Sequence, residues 1–172
     1  MNSKQIVAAI SAVILVGIIA YPALATGTIS IILSSAKIQD ADHVYATVEN
    51  VWVHQAGQPG SSGWELVSNQ SQTVDLVALA NSSMKFAKGQ VSVGSYDSVR
   101  INISNVTWVF NGTTNKLTIE LSQLQTKLEF TAQAGRESTI TLILSAQQER
   151  ISGTKVFVSN LNATLAGVPG QS

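Results

Sequence analysis

The chain has 172 residues, no cysteine, and ten basic against ten acidic residues, so its formal net charge is zero. Disulfides, thiolate metal sites and a cysteine nucleophile are excluded, and ten scattered cations make no phosphate-neutralising patch, so no nucleic-acid partner is expected. Charged residues are only 12% of the chain, about half the usual ~25%, and Ser, Thr, Asn and Gln, 58 residues together, take their place on the surface.

Residues 1–25 read as an export leader or hydrophobic anchor helix. Lys4 precedes an uncharged apolar run over 6–20, Tyr21-Pro22 ends it, and Ala23-Leu24-Ala25 is a small-x-small cleavage site, the pattern of a secretory signal. The run is shorter than the roughly 20 apolar residues of a membrane span. It also resembles the N-terminal helix of archaeal type IV pilins. Three readings therefore compete: removal after Ala25, prepilin-type cutting near Lys4-Gln5 with the helix kept, or retention as an anchor. The membrane is met only through residues 6–25, and only if they stay. Each reading sends the rest of the chain to the extracellular side or cell surface.

From residue 26 onward, period-two alternation dominates and helical periodicity is nearly absent. Strands are expected over 28–35, 44–54, 64–67, 73–76, 99–110, 116–121, 126–131, 138–145 and 155–161. Asn111-Gly112 is a hairpin turn signal, 57–63 an exposed Gly/Ser/Pro loop, and 75–81 a helical turn. These eight or nine short strands predict an all-β fold, an antiparallel β-sandwich over 26–165, with 166–172 as a flexible tail.

An internal echo refines the pattern. DHVYATVENVWVHQAG (42–57) lines up with DSVRINISNVTWVFNG (97–112) if one residue is inserted at Thr107. Both segments switch phase. Val44, Ala46 and Val48 give way to Val51 and Val53, and Val99, Ile101 and Ile103 give way to Val106, Trp108 and Phe110. Keeping one face buried through such a switch requires a bulge near each Asn. The echo aligns Trp52 with Trp108 and places both in the core.

The stretches GTISIILSSA (27–36), VYATVENVWVH (44–54), TVDLVAL (73–79), SYDSVRINISNVTWVFNG (95–112) and AGRESTITLILSA (134–146), in this order, resemble the secreted proteins grouped as domain of unknown function 4382. The resemblance implies an extracytoplasmic β-sandwich, found in bacteria and archaea, with no assigned activity. Family members often carry an Asp after the first strand and another late in the strand before the C-terminal one. Here those places hold Ser34-Ser35 and 143–145, so no cation role is carried over.

Glycan attachment is the strongest chemical signal. Six Asn-x-Ser/Thr sequons occur, at Asn69, Asn81, Asn102, Asn105, Asn111 and Asn162, where composition alone would give about two. Asn69, Asn81 and Asn111 are expected in loops or turns, and Asn102 and Asn105 on an outward strand face. The carboxylates are spread over strand faces and turns with no pair marked for glycoside hydrolysis. No nucleophile elbow or phosphate loop occurs, and His43 and His54, eleven residues apart at the ends of one strand, do not mark a metal pair. No cofactor, no metal and no enzymatic activity are expected. Trp64, just after the exposed loop, is the one tryptophan placed at the surface as a possible ligand contact. The chain thus reads as an exported, non-enzymatic surface protein with a structural or adhesive role, its partner being itself, in a head-to-tail filament, or cell-surface glycans. A secreted carbohydrate-binding module centred on Trp64 is the rival reading.

Overall fold

The computed structural model describes residues 25–151 and 154–166. Among them ten strands and one short helix follow in order: β1 (Thr26–Ser35), β2 (His43–Gln55), β3 (Trp64–Asp75), α1 (Leu76–Leu79), β4 (Met84–Ser92), β5 (Gly94–Phe110), β6 (Thr113–Lys116), β7 (Thr118–Ile119), β8 (Gln123–Ala132), β9 (Glu137–Ile151) and β10 (Thr154–Leu165). One sheet has the order β4-β1-β9-β10-β7. The other has the order β3-β2-β5, and the far edge of β5 is shared between β8 and β6. The leader expected over 1–25 lies outside the described residues except for Ala25, and the tail over 166–172 except for Ala166.

Inward-facing alternate residues build one hydrophobic core from both sheets. Ile29, Ile31 and Leu33 of β1 and Ile140, Leu142 and Leu144 of β9 line one layer, and β2 and β5 line the other. The switch of phase in the long strands is absorbed as the sequence demands. Val44, Ala46 and Val48 are buried, Asn50 takes a left-handed φ of 45°, and Val51 and Val53 are buried beyond it. An L-residue tolerates that conformation best when it is Asn or Asp. In β5 the extra residue is Ser104, next to Asn105: Thr47 pairs with Asn105 and Val48 with Ile103.

The all-β, two-sheet architecture is as expected; its all-antiparallel pairing is not. β1 runs parallel to β9, and β10 parallel to β7. A parallel pair needs a crossover, and here the whole second sheet intervenes between β1 and β9. β1 is also no edge strand, since β4 flanks its other side. The strands expected over 64–67 and 73–76 are one strand, β3. The return over 116–121 is divided between β6 and β7, and β4 was not expected at all. The helical turn is present as α1, its first turn capped by Asp75 Oδ1, which accepts from Val77 N at 3.1 Å.

At one corner the two sheets touch through backbone. Gly89 of β4 lies so close to Val67 of β3 that a β-carbon at Gly89 would stand 1.8 Å from the Val67 carbonyl oxygen. Val67 is the extra residue of a bulge in β3, between Leu66 and Ser68.

Candidate functional site

The six sequons face solvent. Asn69, Asn81, Asn105, Asn111 and Asn162 are exposed and Asn102 is half-buried. Asn69 is not in a loop, as the sequence suggested, but in the polar middle of β3, whose segment 68–73 buries no side chain. Asn102 and Asn105 stay on the outward face on either side of the bulge at Ser104. Asn111 sits in the β5–β6 turn with φ 48°, followed by Gly112 with φ 70°. Asn81 follows α1, and Asn162 lies on β10. The hydroxyl residues two positions on, Ser71, Ser83, Ser104, Thr113 and Thr164, are exposed, and Thr107 is half-exposed. An acceptor amide and its hydroxyl must both be reachable for glycan transfer, and strand alternation puts positions i and i+2 on the same side.

Trp64 lies at the start of β3 beside the 56–63 loop, as expected, and is half-buried. Its indole N–H donates to the Gly60 carbonyl at 3.0 Å. Its ring centroid is 4.8 Å from that of His54. Arg100 Cζ lies 4.0 Å from the Trp64 ring centroid and 4.8 Å from that of Trp52, so the guanidinium is held between two indoles. Such contacts gain strength as water is excluded. Burial pushes the Arg100 pKa down, and its Nε has no hydrogen-bond partner among the described residues. Trp52 is therefore not a core residue, in contrast to Trp108, which is. With Val51 and Val53 inward, Trp52 must point outward, and the insertion that aligned it with Trp108 concealed this. Phe110 likewise points out at the end of β5, 43% exposed.

The two histidines at the ends of β2 each meet a different aspartate. His43 Nδ1 is 2.7 Å from Asp75 Oδ2, and His54 Nδ1 is 2.9 Å from Asp97 Oδ1. His54 Nε2 is 3.2 Å from the Pro59 carbonyl. Both partners of the buried His54 ring are acceptors, so the imidazolium, which donates from both ring nitrogens, is the form that satisfies both. Burial opposes that charge, but Asp97 and the Pro59 carbonyl outweigh it, and the His54 pKa is raised. Burial likewise opposes the Asp97 carboxylate, and hydrogen bonds from His54 and Ser98 outweigh it, holding Asp97 below the usual carboxylate value. The result is a tether: His54 ties the 56–63 loop to β5. Sequence reasoning did not single out Asp97 or Arg100. Their signal was register, since Ser98 and Arg100 are the cross-strand partners of His54 and Trp52.

Nearby, Glu65 accepts from Ser92 N at 2.8 Å, from the Tyr96 hydroxyl at 3.1 Å and from Gln55 Nε2. Burial, and then the Glu65 charge, raises the Tyr96 pKa, so its hydroxyl remains a donor. Among the described residues no three His, Asp or Glu side chains converge to hold a metal ion, and no helix is long and apolar enough to cross a membrane.

No curated protein and no solved structure matches the chain. The family model described as "Domain of unknown function (DUF4382)" matches residues 26–156, from the first residue of β1 into β10. With the match covering most of its length, the chain belongs to the DUF4382 family.

Proposed function

We propose that this protein is an exported, non-enzymatic β-sandwich of the cell surface, glycosylated and used structurally or for adhesion. The observation that carries the reading is the placement of the sequons. Six acceptor asparagines, three times the number that composition explains, fall at solvent-facing positions of both sheets and their connections. A fold with few charges and a Ser/Thr/Asn-rich exterior suits a surface screened by glycans. The leader over 1–25 supplies the export route, by cleavage after Ala25, by prepilin-type processing, or as a retained helix.

Self-association belongs to the same reading. β1 completes its own sheet between β4 and β9. A strand-exchanged assembly would have to reproduce both ladders between copies, in a head-to-tail arrangement that need not close. Packing of the 6–20 segments is the other route to a filament.

Surface labelling tests the location. Intact cells of the native host are treated with a membrane-impermeant amine reagent, and the protein is recovered. Modification of Lys85, Lys88 or Lys127, all exposed on the fold, is the expected result. Labelling only after lysis contradicts the reading.

A further inference from the structure

A cleft of about 800 Å³ opens at the end of the molecule where the 36–42 connection and the β5–β6 turn approach β9 and β10. Its volume lies within the ~300–1,000 Å³ of small-molecule sites. Lys37 and Asp40 come from the connection, Phe110 and Asn115 from β5 and β6, and Gln147 and Lys155 from β9 and β10. Trp108 forms part of the wall, and its indole N–H donates to the Asp40 carbonyl at 2.9 Å. The connection is pinned at both ends, by Ala36 N to Leu144 O at 2.8 Å and by Asp42 N to Val109 O at 2.8 Å. Asp40 turns the chain with φ 55°. The cleft is thus built on fixed backbone, which lowers the ordering cost of binding.

The lining has a particular chemistry. Phe110 is one of the few large apolar side chains left exposed, and an open aromatic face can stack on the C–H face of a sugar ring. Asn115 offers both donors and acceptors to hydroxyls, and Gln147, whose Nε2 donates to Glu149 Oε1 at 2.6 Å, keeps its carbonyl and a second N–H. Among the described residues, neither Lys37 nor Lys155 is in an ion pair. Two carboxylates stand near them, Asp40 in the lining and Glu149 on the Gln147 amide at 2.6 Å, so the cleft offers an anion two ammonium groups rather than a net positive charge.

We propose that this cleft binds a saccharide bearing a carboxylate or sulfate group, with Phe110 under the ring, the amides on its hydroxyls and Lys37 and Lys155 on its anionic group. The proposal rests on the adhesive form of the reading above and gives it a ligand class. It also moves the expected contact away from Trp64, whose ring is engaged by Arg100 and His54.

The test is binding of oligogalacturonate and of sulfated galactose oligosaccharides to the full chain produced without N-glycans, since Asn111 stands at the rim of the cleft. Neutral galactose oligosaccharides serve as the comparison. The acidic sugars are expected to bind at least about tenfold more tightly than the neutral ones, and added salt should weaken them. Phe110→Ala should cost about tenfold, Lys37→Gln with Lys155→Gln should remove the preference for acidic over neutral, and Trp64→Ala should change little. Absence of saccharide binding, equal binding of neutral sugars, or binding that survives Phe110→Ala and fails in Trp64→Ala would each overturn it. Surface labelling and glycan mass are read separately, so failure here leaves the location of the protein to its own test.

Discussion

Gly89→Ala is a substitution whose cost can be worked from one contact. The added methyl would lie 1.8 Å from the Val67 carbonyl oxygen, against an ordinary C···O approach of about 3.3 Å. The atom it meets is backbone, so no side-chain rotation relieves the overlap. β3 and β4 would have to part by about 1.5 Å, although β4 is fixed to β1 through the Ile29–Gly89 pair and β3 to β2. Forced backbone shifts in a packed structure cost typically ~1–3 kcal/mol, and an obstruction of this size belongs at about 3 kcal/mol. That is a large share of the ~5–15 kcal/mol that holds a domain together, and it corresponds to a fall in Tm of about 6–12 °C. Urea unfolding followed by tryptophan fluorescence gives the free energy, with Gly60→Ala as control, because nothing lies within 4 Å of a β-carbon there. The control should stay within ~0.5 kcal/mol of the parent. A Gly89→Ala protein as stable as the control would mean that β3 and β4 do not cross as described.

Leu33→Ala, at a fully buried position of β1, should lower stability by about 2–5 kcal/mol in the same unfolding assay; a loss below ~1 kcal/mol would put β1 outside the core. The His54 tether predicts a pH dependence. Its folded pKa is raised above 6.5, so its contribution is complete below about 6.5 and is lost as pH rises through the folded value. Asp97 is lowered beneath 3.8, so its contribution is complete above about 3.8 and is lost as pH falls through the folded value. Unfolding measured at about pH 5.5 and 8.5 should show the parent losing more stability on the alkaline side than His54→Gln; identical pH dependences would show that the imidazolium holds nothing. Arg100→Met should free the two indoles, and a change in their fluorescence without loss of the fold is the expected signature; an unchanged spectrum would contradict the stacking.

Much of this fold was legible because strand burial has a period of two. In β2 and β5 the alternation is so regular that its interruption locates two of their three bulges, at Asn50 and beside Asn105; the third, at Asp97, lies at the start of β5 before the alternation begins. Where alternation fails, legibility fails with it. β4 leaves no pattern in the sequence, because Phe86 and Ala87 are both buried across a bulge and Gly89 follows, so the segment has no period. β3 reads as two strands because 68–73 is polar throughout; it is an edge strand held by main-chain pairing to β2, and its burial is confined to Val67 and Val74. The parallel partnership of β1 with β9 left no local mark, since it joins residues about a hundred positions apart that no turn connects. The site divides in the same way. Sequons are local and legible directly, though the polar neighbours of Asn69 read as a loop where the chain is a strand. The Trp64–Arg100–Trp52 stack and the His54–Asp97 pair arise from cross-strand register, and the end cleft from the approach of four separate segments; none of these is a spacing along the chain.

Peptide-level mass spectrometry of the protein taken from its native host tests the central claim most directly. The account predicts an N-terminus at Thr26, at a prepilin-type site near Gln5, or at Met1 in a chain recovered from the membrane, and glycan mass on one or more of the peptides holding Asn81, Asn102, Asn105 or Asn111. An intact Met1 in a chain recovered from the cytosol, with all six sequons unmodified, would contradict it.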